Sequence, residues 1–480
     1  MNNPLLNQLK KSLKRHHAPF YAPGHKQGKG INFELKETFG ELIFKADLPE
    51  LPELDNLFAP EGVIKEAQEF AAHTFGAKKT WFLINGSTCG VMASILATCG
   101  EGDKIIVPRN VHQSVIYGLI LSGAIPIFIN PEYDKNFDIC YGVSAQQIEM
   151  ALQSHGDVKA VMIVSPTYHG VCTNIKEIAR VVHHYHIPLL VDEAHGAHFA
   201  FHPTLPDSAL ASGADVVIQS THKVLGALTQ ASMLHLQGSL VDEDRVSNAL
   251  QLLQSSSPSY LLLASLESAT TQMAEGGKEL LDKTIALANR AREEIGDFDE
   301  LQVLDVQQAT PSFDDLDITR LTVNVSGLGL TGYLADEILH EQLAVTCELP
   351  SLKNLTFIVS MGNDDGDVDL LISGLQKLAD YRHKETPQCF DYGCFNFQSR
   401  FAISPRKAYW GQKKIVPWQD SLNQISADTI SAYPPGIPIL MAGEIITNEA
   451  LQYLKEVVSL GAIITGAMDG KLKTIRVVDC

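Results

Sequence analysis

The sequence has no apolar run long enough to cross a lipid bilayer. Its longest apolar stretch, at residues 115–129, is interrupted by Gly118, Gly123 and Pro126, whereas a spanning helix needs about 20 consecutive apolar residues. The basic residues near the amino terminus are not followed by an apolar stretch, so we expect no signal peptide. The sequence therefore predicts a protein that has no membrane partner.

Cysteine is scarce and does not occur in paired motifs. Eight cysteines are spread over 480 residues, which favours reduced thiols in a cytoplasmic protein over a disulfide framework. The closest pair, Cys389 and Cys394, has no matching second pair, so we expect no structural metal site.

Positive charge is also in short supply. The chain has 37 Lys and Arg residues against 56 Asp and Glu residues, for a formal net charge of −19. A nucleic-acid partner would require a basic face, so we expect none. An acidic protein suits a small cationic substrate, although the charge also serves solubility. With 45% hydrophobic residues, the chain can bury more than one core.

The residue that most strongly indicates chemistry is Lys223, which lies among apolar and hydroxyl side chains at residues 218–227. Burial of an ammonium group lowers its pKa, because the charged form loses solvation, and turns it into a nucleophile toward carbonyl carbon. The alternative is a lysine at a strand end whose amine reaches solvent. The surrounding sequence favours the first interpretation.

Two apolar runs bring an acid near this amine. The run at residues 187–191 ends at Asp192, and a second run at residues 214–219 leads to Ser220 and Lys223. Such runs are typical of buried parallel strands, whose carboxyl ends meet at one edge of the sheet. The sequence therefore predicts that an acid and an amine share a crevice.

A third segment predicts an anion site. The loop at residues 85–90, rich in small and hydroxyl residues, joins the apolar run 81–84 to the helical stretch 91–96. Backbone N–H groups and the helix dipole favour an anion there, although an ordinary strand-to-helix turn is the alternative. An acid, an amine and a phosphate seat on one sheet are what pyridoxal 5'-phosphate requires.

The pattern along the chain predicts an α/β protein with several domains. Strand-like and helical stretches alternate from about residue 61 to 238, which indicates a doubly wound, mainly parallel sheet. Helical sequence follows at 242–298, and the polar passage at 310–317 predicts a linker. We expect an amino-terminal segment at 1–60, a large domain at 61–300, a small α/β domain at 301–385 and a compact carboxyl-terminal domain at 386–480.

Seven motifs follow one another along the chain. They are Ala22-Pro23-Gly24-His25-Lys26, Pro108-Arg109-Asn110-Val111-His112-Gln113-Ser114, Pro166-Thr167-Tyr168-His169-Gly170, Val191-Asp192-Glu193-Ala194-His195-Gly196, Ser220-Thr221-His222-Lys223, Tyr433-Pro434-Pro435-Gly436-Ile437-Pro438 and Gly443-Glu444-Ile445-Ile446-Thr447. This ordered set resembles the Orn/Lys/Arg decarboxylase family of fold type I pyridoxal-phosphate enzymes. It is similar to the short arginine decarboxylases, which lack the amino-terminal wing domain of the long members.

A glycine-rich turn at residues 327–332 also satisfies the dinucleotide-binding fingerprint, with Glu348 at about the distance expected for a ribose-binding acid. The sequence that follows offers little to complete a second nucleotide-binding half. Since the resembling family has a similar turn in its small domain, we interpret the segment as a packing turn.

The resemblance implies a role for each motif residue. Lys223 would carry the cofactor covalently, Asp192 would pair with the pyridine nitrogen, and His112 would stack on the ring and take part in catalysis. Further cofactor contacts are implied for Ala194, His195 and Thr167, phosphate contacts for Ser87, Thr88, Ser220 and His222, and a contact with the neighbouring subunit's phosphate for Ser255. The last contact implies a homodimer with active sites at the subunit interface.

The resemblance also implies the reaction, which is decarboxylation of a basic L-amino acid for polyamine biosynthesis. We expect L-arginine as substrate and agmatine as product, with L-lysine or L-ornithine as alternatives. An aminotransferase or a non-enzymatic binding protein of the same fold remains open, since reaction choice depends on the pocket. Glu444 is the expected partner of the substrate's distal cation; its alternative role is to cap the helix that follows.

Overall fold

The computed structural model describes residues 3–306, 310–382, 400–433, 437–460 and 462–479. The expected domain boundary at 385, the two cysteines at 389 and 394, and residues 434–436 of the proline-rich turn lie outside these ranges. Three helices come first: α1 (Pro4–Ser12), α2 (Phe33–Phe39) and α3 (Glu41–Ala46). The first is anchored to the large domain, because the backbone N–H groups of Leu5 and Leu6 donate to the carboxylate of Glu267.

The large domain contains ten strands and eight helices. In chain order they are α4 (Val63–Phe75), β1 (Lys79–Leu83), α5 (Gly86–Thr98), β2 (Lys104–Pro108), α6 (Gln113–Ser122), β3 (Ile125–Ile129), β4 (Tyr133–Asp134), β5 (Ile139–Cys140), α7 (Ala145–Ser154), β6 (Val158–Val164), β7 (Val171–Cys172), α8 (Ile175–His184), β8 (Leu189–Asp192), β9 (Val216–Gln219), α9 (Thr221–Val224), β10 (Ser232–Leu236), α10 (Glu243–Leu253) and α11 (Tyr260–Gly296).

Seven of these strands form one sheet in the order β1-β10-β9-β8-β6-β2-β3. Pairing is parallel from β9 to β3, and β10 runs antiparallel to both of its neighbours. The predicted doubly wound, mainly parallel sheet is thereby confirmed. Every residue of β8 and of β9 is buried, as expected for apolar strands that are covered on both faces.

Glycine allows close packing of the helices against this sheet. A Cβ atom on Gly90 in α5 would lie 2.7 Å from a methyl carbon of Leu83, and one on Gly118 in α6 would lie 2.7 Å from Ile95. Both distances are far below van der Waals contact, so neither position accepts a side chain without displacement. These contacts set the position of α5, whose first turn borders the site described below.

The small domain has a four-stranded antiparallel sheet, ordered β11-β13-β15-β14. Residues from the end of α11, including Ala291 and Ile295, belong to its core. Cβ atoms on Gly327 and Gly332 would lie 2.3 Å from backbone oxygens, so the glycine turn is a packing turn, as predicted. The elements are β11 (Gln302–Val303), β12 (Asp315–Leu316), β13 (Arg320–Asn324), α12 (Gly332–Gln342), β14 (Leu349–Pro350), β15 (Asn354–Ile358) and α13 (Asp365–Lys377).

The prediction of a linker at residues 310–317 is wrong. Strand β12 pairs with β7, and Phe313 and Leu316 belong to a buried cluster with Phe137. The acidic composition suggested exposure, but Asp317 is fully buried because it pairs with His198, with 3.2 Å between Oδ2 and Nε2. The segment is therefore part of the junction between the large and small domains.

The carboxyl-terminal region contains α14 (Pro405–Trp410), β16 (Lys413–Pro417), β17 (Ile430–Tyr433), β18 (Ile437–Leu440), α15 (Asn448–Ser459), β19 (Ile463–Thr465) and β20 (Thr474–Val478). Two small antiparallel sheets, β16-β20 and β18-β17-β19, enclose a separate apolar core with α15. In the described part of the chain, no helix is both long and apolar enough to span a membrane.

Candidate active site

A cavity of about 470 Å³ lies beyond the carboxyl ends of β6, β8 and β9. Parallel strands end at a common edge, so they deliver side chains from distant parts of the sequence to one place. Nine of the residues expected from the sequence line this cavity, namely Ser87, Thr88, His112, Asp192, Ala194, His195, Ser220, His222 and Lys223.

Lys223 occupies the short helix α9 that follows β9. Its Nζ atom lies 2.9 Å from Nε2 of His195 and 5.4 Å from the ring centre of Tyr168. Burial lowers the pKa of Lys223 to about 8, although the nearby Asp192 acts in the opposite direction. The neutral, nucleophilic form of the amine is therefore far more accessible near neutral pH than in an exposed lysine.

His195 forms the opposite side of this contact. Burial, together with the charge of Lys223, holds the pKa of His195 well below its usual range, so the imidazole is neutral. Its ring packs against that of Tyr168 with 4.6 Å between centroids. The second ring nitrogen, Nδ1, is buried and has no hydrogen-bond partner among the described residues, which leaves a polar atom available to a bound molecule.

Asp192 ends strand β8 and is only 5% exposed. Its Oδ1 atom accepts a hydrogen bond of 3.2 Å from the backbone N–H of Ala194. Burial raises the pKa of Asp192, and the charge of Lys223 opposes this shift. A buried carboxylate of this kind favours a partner that carries positive charge or donates a proton.

His112 caps helix α6, and this role fixes its tautomer. Its Nδ1 atom accepts from the backbone N–H of Ser114 at 3.2 Å, so the proton of the neutral ring is on Nε2. Burial lowers the pKa of His112 to about 4, and the charge of Lys223 adds to this effect. The residue therefore contributes a neutral, flat imidazole to the cavity wall.

The first turn of α5 lies where the sequence predicts an anion site. Gly86 has a φ of +73°, which lets the chain turn sharply from β1 into the helix. The N-cap residue Asn85 makes no capping hydrogen bond with its side chain, so the positive helix terminus faces the cavity without a side-chain cap. The hydroxyls of Ser87 and Ser220, 2.8 Å apart, lie at the same end.

Three expected site residues do not line this cavity. Thr167 borders a smaller cavity of about 90 Å³ that shares Asn110 and Tyr168 with the main one, and its hydroxyl accepts from the backbone N–H of Val171 at 3.2 Å. Ser255 is exposed at the start of the segment between α10 and α11.

Glu444 is also outside the cavity, and the structure does not support its expected contact with a substrate. Its side chain is 4% exposed and pairs with Arg109 at 3.2 Å. Its alternative role is likewise not observed, since the N-cap of α15 is Thr447, whose side chain accepts from Ala450. A buried carboxylate that already has a cationic partner is poorly placed to bind a second cation.

Sequence analysis missed several residues of the cavity wall. Asn110 and Tyr168 line it, and both lie inside motifs that were identified but assigned no role. Glu348, considered only as a ribose-binding acid, is also in the wall, where its charge raises the pKa of Lys223. Its position just before an edge strand of the small domain gave no sign of this contact.

Arg320 shows a further arrangement that the sequence did not reveal. Its guanidinium group is fully buried, and Nη2 donates to the backbone oxygen of His195 at 3.3 Å. The Nε atom lies 3.8 Å from Asp317. Through this hydrogen bond, Arg320 holds the turn that carries His195. Within the described ranges, no group of three or more potential metal ligands is found.

Comparisons with known proteins agree with this geometry. Two family profiles match the chain, "Orn/Lys/Arg decarboxylase, major domain" over residues 3–317 and "Orn/Lys/Arg decarboxylase, C-terminal domain" over residues 392–466. The arginine decarboxylases of Halalkalibacterium halodurans and Bacillus subtilis are 39% and 38% identical over 478 and 485 residues. Each alignment covers 99% of this chain and 97% of the relative.

Solved structures show the same fold. A Francisella novicida lysine decarboxylase has a TM-score of 0.85 at 25% identity, covering 99% of this chain and 81% of its own. The constitutive lysine decarboxylase of Escherichia coli has a TM-score of 0.84 at 23% identity, covering 100% and 82%. A Bacillus subtilis ureidoglycine–glyoxylate aminotransferase, at 13% identity and a TM-score of 0.53, covers 68% of this chain and 87% of its own.

The architecture is that of the fold type I pyridoxal-phosphate enzymes. Within this class, the chain belongs to the Orn/Lys/Arg decarboxylase family. It is accordingly an amino-acid decarboxylase, a lyase.

Proposed function

We propose that this enzyme converts L-arginine to agmatine and carbon dioxide with pyridoxal 5'-phosphate as its cofactor. The observation that carries the proposal is the grouping of Lys223, Asp192, His112 and the anion seat of α5 in one cavity. The preference for arginine rests on the full-length similarity to two arginine decarboxylases.

The chemistry of the cavity residues fits this cofactor. Lys223 supplies an amine for its aldehyde, and Asp192 supplies a carboxylate for its ring nitrogen. The amino-terminal turn of α5 and the hydroxyls of Ser87 and Ser220 suit its phosphate. The unpartnered Nδ1 atom of His195 offers a hydrogen bond to a polar group that the cofactor or substrate brings into the cavity.

When bound, the cofactor would supply an electron sink for the bond that releases carbon dioxide. Asp192 would keep the ring nitrogen protonated, because a carboxylate in a buried site stabilises positive charge beside it. His112 would cover one face of the ring and orient it. The buried cavity wall would exclude water and disfavour the substrate carboxylate relative to neutral carbon dioxide.

A proton must then return to the α-carbon. With a pKa of about 8, Lys223 exchanges a proton readily near neutral pH, which is the property expected of a general acid. The neighbouring His195, neutral and 2.9 Å away, would accept a hydrogen bond from the Lys223 amine when substrate displaces it. Lys223 is therefore our candidate proton donor, with His112 as the alternative.

For the distal cation of the substrate we propose Glu348 in place of Glu444. Glu348 is exposed in the wall of the catalytic cavity. Its carboxylate is compatible with a planar guanidinium, which gains from two parallel hydrogen bonds, whereas an ammonium offers only a point charge. An incoming basic side chain would also be attracted by this charge before it binds.

We propose a homodimer as the active unit. Ser255 is exposed and lies outside the cavity of its own chain, which is compatible with a contact to the phosphate seat of a partner subunit. We also propose a cytoplasmic location, since the described cysteines, at positions 89, 99, 140, 172 and 347, are all unpaired, as is usual in a reducing compartment.

The direct test is to incubate the purified, cofactor-loaded protein separately with L-arginine, L-lysine and L-ornithine and to identify the amine by mass spectrometry. We expect agmatine, formed with the highest specificity constant. A higher constant for lysine or ornithine would overturn the choice of substrate. Formation of a keto acid instead of an amine would identify an aminotransferase, and binding without any product would identify a non-enzymatic relative.

A further inference from the structure

A buried arginine joins the carboxyl-terminal domain to the catalytic cavity. Arg109 follows directly after β2, and its guanidinium reaches across the domain junction. Its Nη1 and Nη2 atoms donate to the backbone oxygens of Pro438 and Ile439 at 2.5 and 2.9 Å, and Nη2 also pairs with Glu444 at 3.2 Å. The two side chains are only 3% and 4% exposed.

The turn at residues 441–444 is built to present this carboxylate. Oε2 of Glu444 accepts a hydrogen bond of 2.7 Å from the backbone N–H of Met441, so the side chain folds back over its own turn. Gly443 has a φ of +96°, and a Cβ atom there would lie 2.4 Å from the backbone oxygen of Ile403. Only glycine permits this reversal of the chain, and the reversal aims Glu444 at Arg109.

The segment that Arg109 begins is part of the catalytic cavity wall. Asn110 and His112 both line the cavity. The backbone N–H of Arg109 donates to the backbone oxygen of Ile129 at 2.8 Å. The side-chain amide of Asn110 donates to the backbone oxygen of Tyr141 at 3.0 Å. The Arg109 side chain contacts the carboxyl-terminal domain directly.

We infer that Arg109 and Glu444 are positioning residues through which the carboxyl-terminal domain sets the place of the loop carrying Asn110 and His112. The planar guanidinium bonds two consecutive backbone oxygens and a carboxylate at once, which fixes its orientation as well as its distance. A lysine would keep the charge but lose this fork. The inference rests on the proposed function, because it concerns the wall against which the cofactor would stack.

A second ion pair in the same domain provides a matched control. Arg476 and Asp428 pair at 2.7 Å, with side chains 35% and 2% exposed, so changing Asp428 to an amide also breaks an ion pair at a buried carboxylate. This pair ties β20 to the segment before β17, and neither residue lines the catalytic cavity. Asp428→Asn therefore reports on general loss of stability in the domain.

The test uses the full chain in three variants, Glu444→Gln, Arg109→Lys and Asp428→Asn. Two quantities are measured: the dissociation constant of the cofactor, by spectroscopic titration, and the rate at which diethyl pyrocarbonate modifies His112, by peptide mass spectrometry. His112 is neutral above its pKa of about 4, so at pH 7 its reaction rate reports on access and not on protonation. Thermal unfolding and chromatographic size are recorded for each variant.

We expect Glu444→Gln and Arg109→Lys to weaken cofactor binding about tenfold, the effect of one lost charged hydrogen bond, and to speed modification of His112. Asp428→Asn should match wild type in both quantities. Wild-type values in both pair variants, with a lowered unfolding temperature alone, would overturn the inference, as would an equal change in Asp428→Asn. If Glu444→Gln does not fold, Arg109→Lys decides.

A wild-type protein that forms no amine would refute the proposed function. The modification rate of His112 would still test the position of the loop, because this measurement requires neither cofactor nor turnover. The two failures are therefore distinguishable.

Discussion

The amine of Lys223 and the imidazole of His195 face each other at 2.9 Å inside a largely buried cavity. Desolvation lowers the pKa of each group, and the positive charge of Lys223 lowers that of His195 further. Near neutral pH the imidazole of His195 is therefore neutral, and the positive charge of the pair lies on Lys223. His195 acts as its hydrogen-bond acceptor, which makes the position and the charge state of Lys223 interdependent.

The first prediction concerns the covalent attachment of the cofactor. Borohydride treatment of the loaded enzyme should fix the cofactor on Lys223, and peptide mapping should find it there. Lys223→Ala should lose both the covalent link and nearly all turnover, because no other amine lines the described cavity wall. A label on any other residue would contradict the assignment.

The second prediction follows from the lowered pKa of Lys223. In the cofactor-free protein this pKa is about 8, against a model-peptide value of 10.5. Between these values the unfolded state binds more protons than the folded state, so this residue makes the free energy of unfolding rise with pH. Below pH 8 the buried ammonium costs up to about 3 kcal/mol.

The measurement is thermal unfolding of cofactor-free wild type and Lys223→Ala from pH 7 to 10. The comparison removes the contribution of other titrating groups that both proteins share. We expect Lys223→Ala to be more stable to unfolding than wild type at pH 7. This difference in stability should shrink as the pH approaches 10. A difference that does not depend on pH would show that Lys223 does not titrate in this window.

The third prediction tests which acid binds the substrate's cation. Glu348→Gln should raise KM for the preferred substrate by a factor that corresponds to about 1–3 kcal/mol, with cofactor affinity unchanged, because a charged hydrogen bond is lost. Asp138→Asn is the comparison. Asp138 lines the smaller neighbouring cavity, and burial raises its pKa to about 6 although the Tyr133 hydroxyl donates to it.

We expect Asp138→Asn to leave KM close to wild type. An increase in KM confined to Asp138→Asn would place the substrate's cation in the smaller cavity. Unchanged kinetics in both Glu348→Gln and Asp138→Asn would show that neither acid recognises the substrate. Glu444→Gln is unsuitable for this purpose, since it breaks a buried ion pair.

The fourth prediction concerns subunit sharing. Ser255→Glu would place a negative charge against the phosphate seat of the partner subunit and should abolish activity alone, as should Lys223→Ala. Mixed and reassociated, the two inactive proteins should recover about a quarter of wild-type activity, because random pairing makes half of the dimers mixed, each with one complete site. No recovery in verified mixed dimers would exclude the shared site.

Much of the central site is predictable from sequence because it is built by local rules. The apolar runs before Asp192 and Lys223 predict buried parallel strands, and strand ends share an edge. The helix amino terminus after residue 84 predicts the anion seat in the same way. In each case a few neighbouring residues determine both the structure and the place of the side chain.

The errors concern residues whose environment comes from distant parts of the chain. Glu444 resembled a free acid, but its partner Arg109 is 335 positions away. The acidic segment at 310–317 resembled a linker, since sequence does not reveal that Asp317 meets His198. Glu348 reaches the cavity only because the small domain docks beside it. Charge composition alone cannot distinguish an exposed acid from one with a buried partner.

Helix α11 extends from the core of the large domain to the core of the small domain. It is a single rod of 37 residues, held at its start by the large domain and at its end by the small domain, whose core includes Ala291 and Ile295. Lys223 belongs to the large domain and Glu348 to the small domain, and both line the cavity, so this helix lies on the stretch of chain that connects them. The pair Gly276 and Gly277 lies near the middle of the helix, which continues through both residues. One helix thus contributes side chains to the cores of both domains whose residues line the cavity.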